Sequence, residues 1–381
     1  MSGVEQVRLA RRPLVVWAAL LVLGIGAAAY VGFRLPNLWI ATIYSVPLDA
    51  GFIRRGAIGF LVSPLAAISG SHYFAVSLIA LLILGLVLGV IAYNFLRAPW
   101  NSLRILVLMF LLAPTGGFLF HEVGYLEQVL FLAFVLSYFL WQRTNPFFAI
   151  APLIIAAWFH EMVLVTMWPI LVWIAVVQGL TRLRALALGL PALAALVIAL
   201  LPRPSAADVG SLESRMNTAL DFLPRADALR LFARPPSELW SEYSVVNGLF
   251  ELLPMALVLS VVWVGVIVFR PAGLSRRTNV LIGAWLVTLA PLLLVFAGWD
   301  FSRWLFLAFA NFAIVVFILL GQSREDCTKE TLAWLLLPFV LLFAVGLQYF
   351  DGLSPRSFMT YEISQNLRSP DFLEFPTKQG F

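Results

Sequence analysis

The chain contains little charge and few reactive side chains. Only 12% of its 381 residues are Asp, Glu, Lys or Arg, and it has three histidines and one cysteine. Charged residues make up about 25% of an ordinary soluble domain, so the composition excludes a typical soluble globule. The single cysteine, Cys327, excludes an intrachain disulfide. The sequence also lacks a phosphate-cradling glycine loop, a dinucleotide-binding fingerprint and a serine nucleophile elbow, so it gives no sign of a nucleotide site.

The chain is rich in long apolar runs. Hydrophobic residues make up 62% of the chain, and its mean hydropathy is +0.95. Runs of about 18–23 residues recur, which suits helices that cross a hydrocarbon core about 30 Å thick. We therefore predict an all-α polytopic membrane protein that forms one integral membrane domain over residues 1–381. The predicted spans number about 11 and are 14–33, 74–96, 103–120, 124–141, 146–160, 162–179, 185–202, 250–269, 279–298, 304–321 and 332–349.

The basic residues set the predicted orientation. They lie between the spans instead of forming one patch, so the pI of about 9.6 does not indicate a nucleic-acid partner. Lys and Arg in short loops mark the cytoplasmic side, which places the N-terminus inside and the C-terminus outside. The first span follows a basic segment and exceeds the roughly 7–15 apolar residues of a signal peptide, so we expect it to be retained. The basic residues of the predicted inner loops are Arg97, Arg104, Arg143, Arg182, Arg184, Arg270, Arg276, Arg277, Arg324 and Lys329.

The acidic residues lie mostly on the opposite side. Only Glu5, Glu325, Asp326 and Glu330 fall inside in this topology, whereas the chain has 20 acidic residues. Acidic residues contribute little to orientation, so insertion does not explain this excess. The excess of acidic residues on the outer side indicates that the protein carries out its chemistry on the external face of the membrane.

Three segments are predicted to lie outside the bilayer on the external face. They are residues 34–73, residues 203–248 and the tail 351–381. Within the first, residues 56–69 are apolar but too short to span, so we predict a helix that lies in the membrane interface. The second contains an amphipathic stretch at 211–232.

The apolar run 146–179 has two readings. As one helix it would be about 50 Å long, which requires severe tilt. We favour two short segments with His160 and Glu161 at an outer bend, because this keeps Arg182 and Arg184 inside. A single span would invert the topology of everything that follows.

The first external segment carries the candidate base. Asp49 precedes a glycine and the adjacent pair Arg54 and Arg55. A carboxylate can accept a proton from a hydroxyl nucleophile, and guanidinium groups offer charged, forked donors to phosphate oxygens. The alternative is that the arginines hold lipid headgroups while Asp49 pairs with one of them.

Two Phe-His-Glu strings supply further candidates. His121 and Glu122 belong to the first, and His160 and Glu161 to the second. Ionisable groups beside lipid are costly, so they mark a functional site. The two strings suit a hydrogen-bonding network for a sugar or phosphate. Their separation is not a recognised metal-ligand spacing, so we assign no metal, and polar contact between helices is the other reading.

Polar residues continue after the first string. If that segment is helical, His121, Tyr125 and Gln128 fall at i, i+4 and i+7 and form one inward-facing stripe. We therefore add Tyr125 and Gln128 to the substrate-binding candidates. Late in the chain, Asp300 and Arg303 stand at i and i+3, where we expect an ion pair on one helix face. Arg303 would reach a lipid-linked phosphate, or the pair would serve only as an interfacial anchor.

This layout resembles the large membrane glycosyltransferases of the C fold (GT-C), which use polyprenyl-phosphate-linked sugars. Their N-terminal helix leads into a first external loop with interfacial helices and an essential acid. Acidic or histidine residues follow at the outer ends of the next helices, and a long external loop follows the seventh span. The resemblance covers residues 1–250, with additional spans and an external tail at 251–381. Asp49 takes the position of the first-loop acid, and Glu122 and Glu161 take the later positions.

The resemblance implies the activity. A sugar would move from a polyprenyl-phosphate donor to a periplasmic glycan, lipid or protein acceptor on the external face of a prokaryotic inner membrane, without a cofactor. Asp49 would be the general base, and Arg54, Arg55 and Arg303 would neutralise the departing lipid phosphate. The four residues of the Phe-His-Glu strings would orient the sugar and the acceptor.

Two alternatives remain at this stage. A polymerase or ligase that joins lipid-linked oligosaccharides would use similar arginines. A transporter or flippase of an anionic lipid or solute is a different class. Paired broken helices in two related halves usually mark a transporter, and a proton-coupled one needs a titratable residue near mid-membrane, which the predicted spans lack.

Overall fold

The computed structural model describes residues 3–47, 58–233, 245–269, 278–298 and 300–344, with side chains from Leu14 onward. These residues are almost entirely helical. Short 3-10 helices follow α8, α14 and α16 at Glu161–Leu164, Ala290–Phe296 and Leu342–Ala344. The α-helices are α1 (Gly3–Gly32), α2 (Leu38–Tyr44), α3 (Gly59–Ser69), α4 (His72–Arg97), α5 (Asn101–Leu112), α6 (Pro114–His121), α7 (Leu126–Trp141), α8 (Pro146–Phe159), α9 (Trp168–Val177), α10 (Arg182–Leu200), α11 (Ala206–Ala219), α12 (Ala226–Ala233), α13 (Val245–Phe269), α14 (Thr278–Leu289), α15 (Phe301–Gly321) and α16 (Lys329–Leu341).

Six segments among the described residues are long and apolar enough to cross a membrane, which fits a multi-pass helical membrane protein. A seventh crossing is counted if the bent pair α5 and α6 forms one span. The predicted total of 11 spans and the orientation stay predictions, and the predicted tail 351–381 lies outside the described residues. The six segments are Leu14–Gly32, His72–Arg97, Arg182–Leu200, Val245–Phe269, Thr278–Phe296 and Phe301–Gly321.

The predicted span 103–120 is not one straight helix. The chain breaks at Ala113, and α5 and α6 meet at a bend of 63°. Pro114 explains the break, because proline disfavours the helical conformation in the residue before it. Ala113 is accordingly extended, with φ −73° and ψ 169°. The hydroxyl of Thr115 donates to the carbonyl of Phe110, so the break satisfies part of its own hydrogen bonding.

The run 146–179 is likewise interrupted. α8 ends at Phe159, and His160 is extended with φ −160° and ψ 120°. A 3-10 helix follows before α9 begins at Trp168. The run is therefore not one continuous helix. α7, α8 and α9 contain 16, 14 and 10 residues, fewer than the roughly 20 that a perpendicular span needs.

The described helix α3 matches the apolar part of the first predicted external segment. Val62 and Ala66 are buried on one face, whereas Phe60 and Ile68 are 62% and 84% exposed. A short helix with a large exposed apolar face suits an interface between membrane and water. The placement of α3 in that interface stays a prediction.

The chain divides into two compact units. Among the described residues, the first unit draws on Met1–Phe33, Leu88–His121 and Val245–Arg356, and the second draws on Arg34–Val87 and Glu122–Ser244. Each unit is therefore assembled from separated stretches of sequence. The single-domain organisation stays a prediction.

In the first unit, α15 is the most deeply buried of the candidate spans. Its Phe306 stacks on Phe118 of α6 at 4.9 Å between ring centroids. Its Asn311 lies mid-helix and donates to the carbonyl of Val287 at 3.0 Å, so this buried polar group is a packing contact.

The first unit also contains a very close helix contact. A Cβ added to Gly32 of α1 would lie 1.7 Å from the carbonyl oxygen of Gly117 in α6. Small residues allow helix backbones in a membrane to approach in this way.

In the second unit, α8 packs against both α7 and α10. Trp168 at the start of α9 donates its indole N–H to the carbonyl of Leu188 in α10 at 2.9 Å. These short helices obtain their stability from one another, because each is too short to be stable alone.

Candidate functional site

The second unit has a hydrophobic core that joins the two predicted external segments. We call it the loop core: the buried apolar side chains of residues 35–46, 58–76 and 209–232, together with Leu126. The amphipathic stretch predicted at 211–232 forms parts of α11 and α12, whose apolar faces enter this core.

Hydrogen bonds also connect the two predicted external segments. The amide N–H of Tyr73 and the hydroxyl of Ser71 both donate to the carboxylate of Asp221. The backbone N–H of Arg225 donates to the hydroxyl oxygen of Thr42 at 2.8 Å. Residues from both predicted external segments therefore lie at one end of the second unit.

The segment that carries Asp49, Arg54 and Arg55 starts and ends at the loop core. These three residues lie outside the described residues. On either side of them the chain comes together, because a Cβ on Gly59 would lie 2.2 Å from the carbonyl oxygen of Val46. The two described ends of this segment are thus adjacent in the second unit.

The first Phe-His-Glu string is a turn between two helices. α6 ends at His121, Gly124 has φ +87°, and α7 begins only at Leu126. The predicted stripe of His121, Tyr125 and Gln128 on one helix is therefore wrong, because the left-handed Gly124 ends the helical path. His121 is buried in the first unit with its ring 5.7 Å from that of Phe118.

Buried polar residues surround the start of α7 in the second unit. Glu122, Glu127 and Gln128 are 4%, 5% and 4% exposed. The hydroxyl of Tyr125 accepts from the side-chain amide of Asn37 at 3.1 Å, which links α7 to the N-terminus of α2. Buried carboxylates are costly, so their presence here marks the strongest candidate site among the described residues.

Tyr44 belongs to the same region. Its side chain is fully buried at the end of α2. Burial raises the pKa of Tyr44 far above its ordinary value, and the nearby charge of Glu127 raises it further. The hydroxyl of Tyr44 therefore stays protonated and is a hydrogen-bond donor close to a carboxylate.

The sequence places Glu127 beside Tyr125 and Gln128 on the predicted external face without a specific role, and it gives no role to Tyr44 or Asn37. Glu127 carries a visible signal, because it is a carboxylate at the start of an apolar helix. Tyr44 and Asn37 carry none, since only the folding of α2 onto α7 brings them to the site.

The second Phe-His-Glu string marks the end of α8. Phe159 packs against the loop core, so this string and the turn after Glu122 lie at the same end of the second unit. His160 is buried and Glu161 is 40% exposed. The Nδ1 atom of His160 accepts the backbone N–H of Met162 at 3.3 Å. The carboxylate of Glu161 approaches the same Nδ1 atom at 3.6 Å.

Asp300 and Arg303 form the predicted ion pair in the first unit. Nη2 of Arg303 donates to Oδ2 of Asp300, and the backbone N–H of Arg303 donates to Oδ1 at 3.4 Å. Asp300 is thus the N-cap of α15. This contact confirms the pair, whereas the binding of a lipid phosphate by Arg303 stays a prediction.

The described residues contain no group of three or more His, Cys, Asp or Glu side chains that could hold a metal ion. Comparison of the chain with models of protein families, with curated proteins and with solved structures finds no match.

Proposed function

We propose that the chain is a membrane glycosyltransferase. It moves a sugar from a polyprenyl-phosphate donor to a glycan, lipid or protein acceptor on the external face of a prokaryotic inner membrane. One observation carries this proposal. Buried carboxylates at the start of α7 lie in the second unit together with the loop core, and both ends of the segment with Asp49 lie at that core.

The reaction needs one base and one site for a leaving phosphate. The acceptor hydroxyl oxygen attacks the anomeric carbon of the sugar and forms the new C–O bond. The bond between that carbon and the phosphate oxygen breaks, and its electron pair leaves with the polyprenyl phosphate. The hydroxyl proton passes to a carboxylate, so all atoms and charges balance.

Asp49 is the proposed base. It follows Pro47, the last described residue before the segment, by two positions. Glu122 is the next candidate, because it is buried in the turn that leads into α7. Arg54 and Arg55 neutralise the leaving phosphate, the electrostatic term that usually dominates transfer catalysis.

Polar residues around α7 suit a sugar. A carboxylate accepts hydrogen bonds from sugar hydroxyls, and amide or phenol groups donate to their oxygens. Glu127, Gln128 and Tyr125 supply these groups in the second unit, and His160 and Glu161 lie at the same end. A lipid-linked donor also fits a chain whose sequence has no nucleotide fingerprint, because such a donor enters from the membrane.

The test uses the full chain in nanodiscs and a panel of polyprenyl-phosphate sugars that are labelled in the sugar. We expect labelled product and release of polyprenyl phosphate with at least one donor. Asp49→Asn keeps the shape but cannot accept a proton, so turnover falls by about 10²–10⁴-fold while donor affinity persists. Glu122→Gln is measured in parallel, and Glu251→Gln on an exposed face of α13 is the matched control.

Substitutions of Arg55 are expected to change donor binding as well as turnover. Arg55→Ala weakens donor binding because the phosphate loses a charged, forked partner. Arg55→Lys restores binding only in part. Full activity in Asp49→Asn would move the base to Glu122. A wild-type chain that binds no donor but moves an anionic solute across a liposome membrane would replace the glycosyltransferase with the transporter alternative.

A further inference from the structure

One end of the second unit is built from two turns with arginines in them or next to them. Residues 142–145 join α7 to α8, and residues 178–181 join α9 to α10. The guanidinium carbon of Arg184 lies 5.4 Å from the centre of the Trp141 ring, so the two turns are neighbours. Arg143 adds a second guanidinium, and Arg182 a third on the first turn of α10. We call this region the arginine end.

Two of the guanidinium groups at the arginine end are held in place. The Arg143 guanidinium lies 4.0 Å from the centre of the Phe139 ring. Arg184 stacks on Trp141 and also donates to the carbonyl of Gly179 at 3.4 Å. Stacking on an aromatic face orients a guanidinium and leaves its edge N–H groups available to an anion. Membrane insertion requires only the charge of these residues and not this fixed geometry.

The arginine end contains no acidic residue to neutralise it. Between Glu127 and Asp208 the only acidic residue is Glu161. Glu161 directly follows Phe159 and His160 at the end of α8 that meets the loop core, whereas the arginine end holds the beginning of α8. The net positive charge of this surface therefore has no internal partner of opposite sign in these turns.

A hydrogen-bond donor lies beside the arginines. Trp141 is 4% exposed, and its indole N–H has no hydrogen-bond acceptor among the residues that the structure describes. A buried donor that stays unpaired costs about 1–3 kcal/mol, so such groups usually meet an acceptor. A phosphate or ester oxygen that approaches Arg184 would supply one.

Apolar side chains surround the same region. Phe148 in the first turn of α8 is 73% exposed, and Leu183 in the first turn of α10 is 60% exposed. Guanidinium groups beside exposed apolar side chains match the boundary between lipid headgroups and acyl chains.

We propose that the arginine end is a binding site for the phosphate headgroup of an anionic phospholipid. Arg143 and Arg184 bind the phosphate oxygens, the Trp141 N–H donates to a headgroup oxygen, and Phe148 and Leu183 contact the acyl chains. Each arginine near a membrane surface contributes roughly a fivefold gain in affinity for an anionic lipid. This site is independent of the glycosyltransferase proposal.

The test is native mass spectrometry of the full chain titrated with phosphatidylglycerol or phosphatidylcholine of identical acyl chains. We expect wild type to prefer phosphatidylglycerol, and the double variant Arg143→Gln, Arg184→Gln to lose roughly 25-fold of that preference. Trp141→Phe keeps the stacking ring but removes the N–H, so we expect a roughly two- to tenfold loss. Arg230→Gln on α12 makes the same change among residues that pack on the loop core and should have no effect.

A second double variant separates binding from insertion. Arg143→Lys, Arg184→Lys keeps the positive charge that insertion requires but loses the forked geometry, so an intermediate preference is expected. An equal affinity of wild type for both lipids would overturn the proposal. So would an unchanged preference in the lysine variant and in Trp141→Phe, since positive charge alone would then account for the lipid preference without a formed site.

Discussion

Removing the carboxylate of Asp221 gives the sharpest test of how the second unit is held together. This carboxylate accepts the amide N–H of Tyr73 at 3.2 Å and the hydroxyl of Ser71 at the N-terminus of α4. It therefore joins the second predicted external segment to the first. Asp221 also lies close to the positive end of the α4 dipole.

The size of the effect follows from these two bonds. Asp221→Ala removes both bonds and the favourable charge, and because Asp221 is half-buried we expect a loss of about 2 kcal/mol in the free energy of unfolding. Asp221→Asn keeps an oxygen for the Tyr73 amide but loses the charge-assisted bond from Ser71, so about 1 kcal/mol is expected. Ser71→Ala combined with Asp221→Ala should cost less than the sum of the single changes.

The assay is reversible unfolding in mixed micelles, with hydrogen exchange as the local readout. Asp221→Ala should accelerate exchange of amides in residues 71–75 and in α11 and α12. Asp208→Ala is the control, because Asp208 is exposed and caps only its own helix, α11, through Ser205. If the two variants accelerate exchange in the same residues, or if exchange near Tyr73 is unchanged in Asp221→Ala, the inferred tie between the two segments is refuted.

Two further predictions concern a glycine and the topology. Gly124→Ala places a Cβ 2.9 Å from Ile40 at φ +87°, whereas Gly70→Ala at φ +72° meets nothing within 4 Å. We expect about 1 kcal/mol of conformational strain in both and a further 1–2 kcal/mol in Gly124→Ala only, measured by the same unfolding assay; equal losses would contradict the contact. Reporter fusions after Gln178 and at Ala207 should read inside and outside, and an inside reading at Ala207 would remove the external placement of α11 and α12.

The sequence predicts the helical segments well because hydrophobic runs are local. The described helices fall close to the predicted spans 74–96, 185–202, 250–269 and 304–321. The helix breaks at Ala113 and at His160 are marked by different residues in the sequence. Pro114 marks the first, although the apolar run through it hides the break, and the charged pair at His160 marks the second.

The candidate site is harder to predict because it depends on contacts between distant segments. Hydrophobic periodicity does not indicate that Asp221 caps α4, or that Asn37 bonds with Tyr125. The left-handed Gly124 separates His121 from Tyr125, and a stripe drawn on an uninterrupted helix misses this. Asp49 lies outside the described residues, so its role rests on the sequence alone.

The helix α6 has a consequence for the biogenesis of the chain. All eight of its residues are buried, so no face of it is available to lipid in the folded chain. With eight residues, α6 is also far shorter than the roughly 20 residues that a membrane span needs, so it does not cross a bilayer by itself. Its glycine contact is with α1, which is synthesised earlier, whereas its aromatic partner Phe306 is synthesised much later. The packing of Pro114–His121 can therefore be completed only after translation has delivered α15.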